Sequence, residues 1–376
     1  MKSSASTSSK RDSENAPKTF GVAQQVKARA RDIGFDLVGI TTAQPPQHSQ
    51  HLQRWLAKGF HGEMGYLARN ADKRINPSKI LADARSIVVV GLNYYTGDHD
   101  QTGRVARYAW GRRDYHEAMS GKLEQLSGCI AELGGPATRC LGYVDTGPIL
   151  ERDLAQRAGI GFIGKHTNLI SRQLGNWLFL GEILTNLELS ADLPEREYCG
   201  TCQRCMDVCP TRAIVGPYQL DARLCISYLT IELKGSIPIE LRPLIGDHVF
   251  GCDDCLEVCP WNRFAQQSRV HEFRRREMPP LTEFLSWDEP MFREFFRGSP
   301  IFRIKRRGFL RNVCVVLGNT GDETALPALT RALNDDEPLV REHAAWAMEQ
   351  IEHRRRTTSL ADAELPIDFD TTESSG

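Results

Sequence analysis

"CGTCQRCMDVCP" occupies residues 199–210, and a trimmed copy, "GCDDCLEVCP", occupies 251–260. Both end in Cys-Pro, and together they hold seven of the chain's eleven cysteines. The first stretch reads Cys199-x2-Cys202-x2-Cys205-x3-Cys209-Pro210. That is the ligand run of bacterial ferredoxins, whose fourth cysteine serves the other of two clusters. The second, Cys252-x2-Cys255-x3-Cys259-Pro260, is one cysteine short, and Cys225 in "DARLCISYL" is the candidate for the missing ligand. The pattern then assigns Cys199, Cys202, Cys205 and Cys259 to one [4Fe–4S] cluster, and Cys209, Cys225, Cys252 and Cys255 to the other. Two residues between ligands let a tight turn aim successive thiolates at different irons, and each Cys-Pro crosses to the partner cluster.

Paired structural zinc sites are the alternative, since CxxC pairs also build zinc ribbons. The order of eight ligands and the two Cys-Pro ends fit the ferredoxin pattern better. The radical-SAM spacing CxxxCxxC does not occur. Cys129, Cys140 and Cys314 lie in apolar contexts and read as small core hydrophobes. The N-terminus lacks the apolar core of a secretory signal, and no apolar run approaches the ~20 residues that span a bilayer. The expected compartment is cytoplasmic, where clustered cysteines are more often metal ligands than disulfides. A net charge of −1 over 376 residues argues against a generally basic nucleic-acid coat.

Around the cysteines the texture changes. Residues 1–18 are polar and expected to be disordered, as is the tail 357–376, with five acids and no base. Residues 19–194 alternate between helix and strand patterns. "SIVVVGLNYY" (86–95) reads as a buried strand, "YHEAMSGKLEQLSGCIAELG" (115–134) as a helix, and "GPILERDLAQRAG" (147–159) as another. Such alternation favours an α/β sheet covered on its faces. A two-cluster ferredoxin-like domain is expected over 195–265. A basic linker and HEAT-like helices follow over 266–356, where "GNTGDETALPALTRALNDDEPLVREHAAWAM" (318–348) has the repeat's periodicity. So short an array must lean on its neighbour.

Iron–sulfur clusters relay electrons, so the chemistry is expected elsewhere. "GYVDTGPILERDLAQRAGIGFIGKHTNLI" (142–170) places Asp145 between a strand and a helix, at the edge where α/β sheets keep their sites. Asp145 could equally cap the helix expected to begin near Pro148, and Asp114 in "RYAWGRRDYH" (107–116) could cap the next one. Gly159-x-Gly161-x-x-Gly164 formally matches a dinucleotide fingerprint but follows a helix, not a strand, and fails that test.

These stretches, with the two cysteine runs, "LCISYLTIE" (224–232) and the HEAT-like tail, resemble the epoxyqueuosine reductases, which act in the last step of queuosine synthesis in tRNA. The resemblance implies an α/β domain of the nitroreductase and reductive-dehalogenase type that binds base-off cobalamin, fed by the two clusters. It implies Asp145 as proton donor to the opened epoxide, with Asp114, His116 and Arg152 in the substrate pocket. It places Arg107, Lys165, Leu169 and Ser227 near the cofactor. An apolar pocket that raises the pKa of Asp145 is the expectation for such an acid. A cobalt-binding His116 is not expected, because Met119 stands where D-x-H-x-x-G needs glycine.

The resemblance also implies a tRNA with a GUN anticodon as partner, an external low-potential electron donor of the flavodoxin or ferredoxin type, and a monomer. From Arg263 to Arg311 twelve Lys/Arg stand against six Asp/Glu. Arg303, Lys305, Arg306, Arg307 and Arg311, interleaved with Phe302 and Phe309, are the candidates for RNA contact. Two other readings remain open at this point: an electron-transfer protein without its own substrate, and a reductive dehalogenase, whose usual twin-arginine signal is missing here.

Overall fold

The computed structural model of the chain describes residues 9–97 and 103–363. Helix α1 (Ser9–Ile33) precedes strand β1 (Leu37–Thr42), then come β2 (Ser86–Asn93), α2 (Tyr115–Gly134), β3 (Cys140–Tyr143), α3 (Glu151–Arg157) and β4 (Leu178–Thr185). The four strands form one sheet in the order β1-β2-β4-β3. Every neighbouring pair is antiparallel. The helix–strand alternation is therefore present, but without the shared carboxyl edge expected of a parallel sheet. Asp145 owes its place to the loop that leaves β3.

β2 is buried along its whole length. Its residues alternate between two cores, as strand geometry requires. Val88 and Val90 face Ala23, Val26, Met119, Leu123 and Leu126 of α1 and α2. Ile87 and Val89 face Leu154, Ala155 and Ala158 of α3. α3 lies so close to β1 that a Cβ on Gly39 would sit 2.0 Å from the Ala158 carbonyl oxygen.

The C-terminal helices are α4 (Lys305–Thr320), α5 (Leu326–Ala332) and α6 (Pro338–Ala363). Their apolar faces share one core with Leu229, Val249 and Phe250, and with Phe284, Phe292 and Phe296 of the preceding segment. Cys225 and Cys252 pack against the same core. The short helical array thus leans on the cysteine region. Of the two polar tails, residues 1–8 and 364–376 lie outside the described residues. The rest departs from the expected disorder, because α1 starts at Ser9 and α6 runs to Ala363. A helix nucleated by its packed part extends into polar sequence at little cost.

Arg311 locks this arrangement. It is 1% exposed. It donates to the carbonyls of Leu229 (2.8 Å), Leu233 (2.8 Å) and Gly235 (2.7 Å). Asn312 beside it bonds the Thr230 and Val249 carbonyls. Arg311→Leu leaves those buried carbonyls unpaired and should cost ~3–5 kcal/mol. Chemical denaturation of the purified protein measures this; a loss under ~1 kcal/mol would show that α4 does not depend on the contact.

Candidate active site and cysteine centre

Asp145 sits just past β3 with φ of 57°, in the left-handed region. Non-glycine residues held there cost roughly 1–3 kcal/mol, and such strain clusters at functional sites. It caps no helix, because α3 begins only at Glu151 and its N-cap is Leu150. The Asp145 backbone N–H donates instead to Glu151 Oε1 at 2.7 Å. Its side chain remains 57% exposed.

Two donors reach that side chain from the start of α2. Tyr115 Oη donates to Asp145 Oδ2 at 2.7 Å. His116 Nε2 lies 3.7 Å from the same oxygen. Asp114 is the N-cap of α2, accepting from the His116 backbone N–H at 3.0 Å. Its Oδ1 also lies 2.7 Å from His116 Nδ1, and Arg303 reaches both Asp114 Oδ2 (3.0 Å) and His116 Nδ1 (2.8 Å). The fold thus joins Asp114, His116 and Asp145 into one network. It gives a role to Tyr115, which the stretch "RYAWGRRDYH" had offered beside Asp114 and His116, and it adds Arg303, which had been set aside for RNA.

The electrostatics correct one expectation. Burial pushes the Asp145 carboxyl up, but the adjoining His116 imidazole, the hydrogen bond from Tyr115 and the charge of Arg303 outweigh it and hold the group below its ordinary value. For His116, burial lowers the pKa, and the adjoining Asp114 and Asp145 carboxylates more than reverse this. Asp145 rests as an anion, not as an acid in an apolar pocket. The raised carboxyls lie behind it. Glu151 is pushed up to about 8, by burial and then by the charge of Asp145. Glu182, on β4 and 0% exposed, rises well above the usual range, first through burial and then through Glu151 and Asp145. A lone acid in the apolar strand "LFLGEILT" is the signal that could have found it.

The structure gathers the cysteines in two groups. Cys199, Cys202, Cys205 and Cys259 line one cavity of about 180 Å³. Cys209, Cys225, Cys252 and Cys255 lie close enough to act on one another electrostatically. None of the eight is in a disulfide. Lys165 clips the first loop: its backbone N–H reaches Cys199 Sγ at 3.4 Å and its Nζ the carbonyls of Gly200 (2.7 Å) and Cys202 (2.9 Å). Ser227 Oγ accepts from the Cys252 backbone N–H at 3.0 Å. Leu169 is a buried core residue. Arg152 is exposed and donates to the Thr167 carbonyl at 2.7 Å. The Arg107 side chain is buried against Trp110 and Trp177 and turned to Glu257.

The basic segment divides the same way. Lys305 and Arg307 are exposed. Arg306 pairs with Asp335 at 3.1 Å and donates to the Trp287 carbonyl. Arg311 is buried, and so is Phe309. Those three are structural, because their partners come from distant segments that complete the helical core. Arg303 is committed to Asp114 and His116.

Comparison with known proteins finds three family models that match parts of the chain. Residues 198–262 fit a "4Fe-4S double cluster binding domain", residues 74–146 fit "Epoxyqueuosine reductase QueG, DUF1730", and residues 308–365 fit "HEAT repeats". The epoxyqueuosine reductase of Xanthomonas campestris is 44% identical over 348 residues, covering 89% of this chain and 97% of that protein. That of Escherichia coli K12 is 42% identical over 363 residues, covering 92% and 93%. Among solved structures, an epoxyqueuosine reductase with a tRNA-Tyr epoxyqueuosine-modified stem loop superposes with a TM-score of 0.83 at 30% identity, covering 93% and 96%. The Bacillus subtilis enzyme gives 0.81 at 29% identity, with 93% and 96% covered.

An α/β domain with an acid–imidazole centre, coupled to a double 4Fe–4S module, makes this chain an iron–sulfur oxidoreductase. It belongs to the epoxyqueuosine reductase family.

The Tyr115 hydroxyl has a testable consequence. Tyr115→Phe removes one donor to the Asp145 carboxylate, so Asp145 should titrate at higher pH. The limb of the pH–rate profile that reports Asp145 should move upward. An unmoved limb would mean that this hydrogen bond does not set the protonation of Asp145.

Proposed function

We propose that the protein reduces epoxyqueuosine in tRNA to queuosine, with Asp145 passing a proton to the epoxide oxygen. The observation that carries this reading is the setting of Asp145. It is a strained, half-open carboxylate with the Tyr115 hydroxyl and the His116 imidazole on one side, and the half-buried Glu151 and buried Glu182 behind it. Opening an epoxide leaves an alkoxide, and proton delivery to it is typically worth 10²–10⁴-fold in rate. Because Asp145 rests ionised, it acts as a relay, taking a proton from its surroundings and releasing it to substrate.

One [4Fe–4S] cluster is held by Cys199, Cys202, Cys205 and Cys259, and the other by Cys209, Cys225, Cys252 and Cys255. The four-cysteine cavity of about 180 Å³ supports the first set. Mutual proximity, including that of Cys205 to Cys255, supports the second set and the closeness of the two. Electrons enter from an external low-potential carrier. The open groove beside Cys259, lined by Arg204 and Arg263 and by Asp207 and Glu257, offers it a place to dock.

The segment 165–177 and Ser227 would hold cobalamin. His166 Nε2 and Trp177 Nε1 are buried there without a hydrogen-bond partner among the described residues, as polar atoms left for a bound group would be. When bound, cobalamin supplies a strongly reducing cobalt centre. His116 and Arg152 contribute to the substrate pocket, and Asp114 fixes His116. Lys305 and Arg307 contact the phosphates of a tRNA with a GUN anticodon, and the enzyme works as a cytoplasmic monomer.

Two experiments test this. Asp145→Asn should retain both clusters, measured as iron and sulfide, and abolish conversion of epoxyqueuosine-tRNA, read as the nucleoside by mass. Near-normal conversion would remove Asp145 from the mechanism. Replacing Lys305 and Arg307 together by Gln should weaken tRNA binding and flatten the log Kd against log salt slope by about 2. An unchanged slope would place the RNA elsewhere.

A further inference from the structure

Glu182 is the least expected side chain in the fold. It lies on β4 opposite Val89 of β2 and Tyr143 of β3. Strand alternation turns it to the face shared by Val89, Leu184 and Leu154. It is 0% exposed, and neither carboxyl oxygen has a well-formed hydrogen bond among the described residues. No ion pair reaches it: Arg74 donates to the Ile149 carbonyl, and Arg152 to that of Thr167. A buried carboxylate without a partner is prohibitively costly, so the group must hold a proton.

The polar group that acts on it most is Glu151, close by but short of good hydrogen-bond geometry, while Tyr143, its partner on β3, packs against the same core. Glu151 in turn accepts the Asp145 backbone N–H at 2.7 Å. Glu182, Glu151 and Asp145 therefore stand in file from the sheet interior to the open site.

The chemistry requires such a file. Removing an epoxide oxygen breaks both of its carbon–oxygen bonds and forms a carbon–carbon double bond. The oxygen leaves as water, so the net change consumes two electrons and two protons. The electrons come through the clusters. Asp145 carries one proton at a time and rests ionised, so a second must follow within the turnover.

We infer that Glu151 and Glu182 form a buried proton store that reloads Asp145, so that both protons needed to release the epoxide oxygen as water pass through that one carboxylate. This deepens the proposed reaction and rests on it. Glu182 and Glu151 are positioning and storage groups, not groups that touch substrate. The charged and titratable groups around the file are few. Glu182 faces Glu151 and Asp145, and Glu151 faces Asp145, Arg152 and Arg74. Asp145 faces Tyr115, His116 and Arg303, and its charge is also felt by Tyr66 and Tyr108. The proton on Glu151 is present at neutral pH and is lost as pH rises through about 8.

Infrared spectroscopy of the full-length protein with its clusters tests the store directly. Wild type at pH 7 should show the carbonyl band of a protonated carboxylic acid, shifted in D₂O. Glu182→Gln should lose most of it, and Glu151→Gln should lose the component that disappears as pH rises through about 8. In single turnover of the pre-reduced enzyme, Glu182→Gln should be ~10²-fold slower. Its rate should gain a dependence on bulk proton concentration and a larger solvent isotope effect, neither of which a structural lesion would produce. Glu151→Gln carries the same test if the first variant folds poorly. Absence of the band in wild type, or an unchanged pH profile and isotope effect in both variants, would overturn the inference. The infrared arm needs no substrate, so failure of wild type to convert epoxyqueuosine-tRNA would count against the proposed reaction alone.

Discussion

The hydrogen bond from the Arg107 backbone N–H to Asp253 Oδ2, 2.6 Å long, is the joint on which the geometry turns. Asp253 lies between Cys252 and Cys255, so its carboxylate is fixed to the second cysteine group by chain connectivity alone. Arg107 opens the short turn Arg107–Ala109 that leads to Asp114 and α2. One buried bond therefore couples the thiol cage to the network around Asp145. The Arg107 side chain braces the joint from behind, stacked on Trp177 and turned to Glu257. That explains why an arginine beside the site is spent on structure.

The same economy governs the helical module. A pair of HEAT-like helices cannot bury its own apolar face. Here the missing surface comes from the segment around Leu229 and Val249, and the polar backbone of that segment is satisfied by Arg311 and Asn312. Cys225 and Cys252 rest on the same core. The helices thus serve the cluster region as its outer wall, and the basic residues left over, Lys305 and Arg307, ride on that wall facing solvent.

What could be read from sequence follows the range of the interactions. Cysteine spacing is local, so both groups were legible, and Cys225 could be placed because a ferredoxin run demands an eighth ligand. Helix periodicity is local too, and α2 and α4 to α6 fall where it put them. The strand direction was not legible, because helix–strand alternation is compatible with antiparallel neighbours. The roles of Arg306 and Arg311 were hidden for a similar reason. A charge run looks the same whether it meets phosphate or the carbonyls of Leu229 and Gly235, some eighty residues earlier in the chain. Asp145 was legible as a candidate, but its ionisation was not, since that depends on Tyr115 and His116 arriving from another element.

That ionisation reshapes the chemistry. For the proposed proton transfer, a donor held as an anion is a contradiction only if donor and store must be one group. A permanently protonated Asp145 would need the apolar surroundings that a polar nucleoside cannot enter without cost. Dividing the tasks removes the conflict. Tyr115, His116 and Arg303 keep Asp145 anionic, oriented and open to substrate, while the apolar space beneath α3 keeps Glu182 neutral.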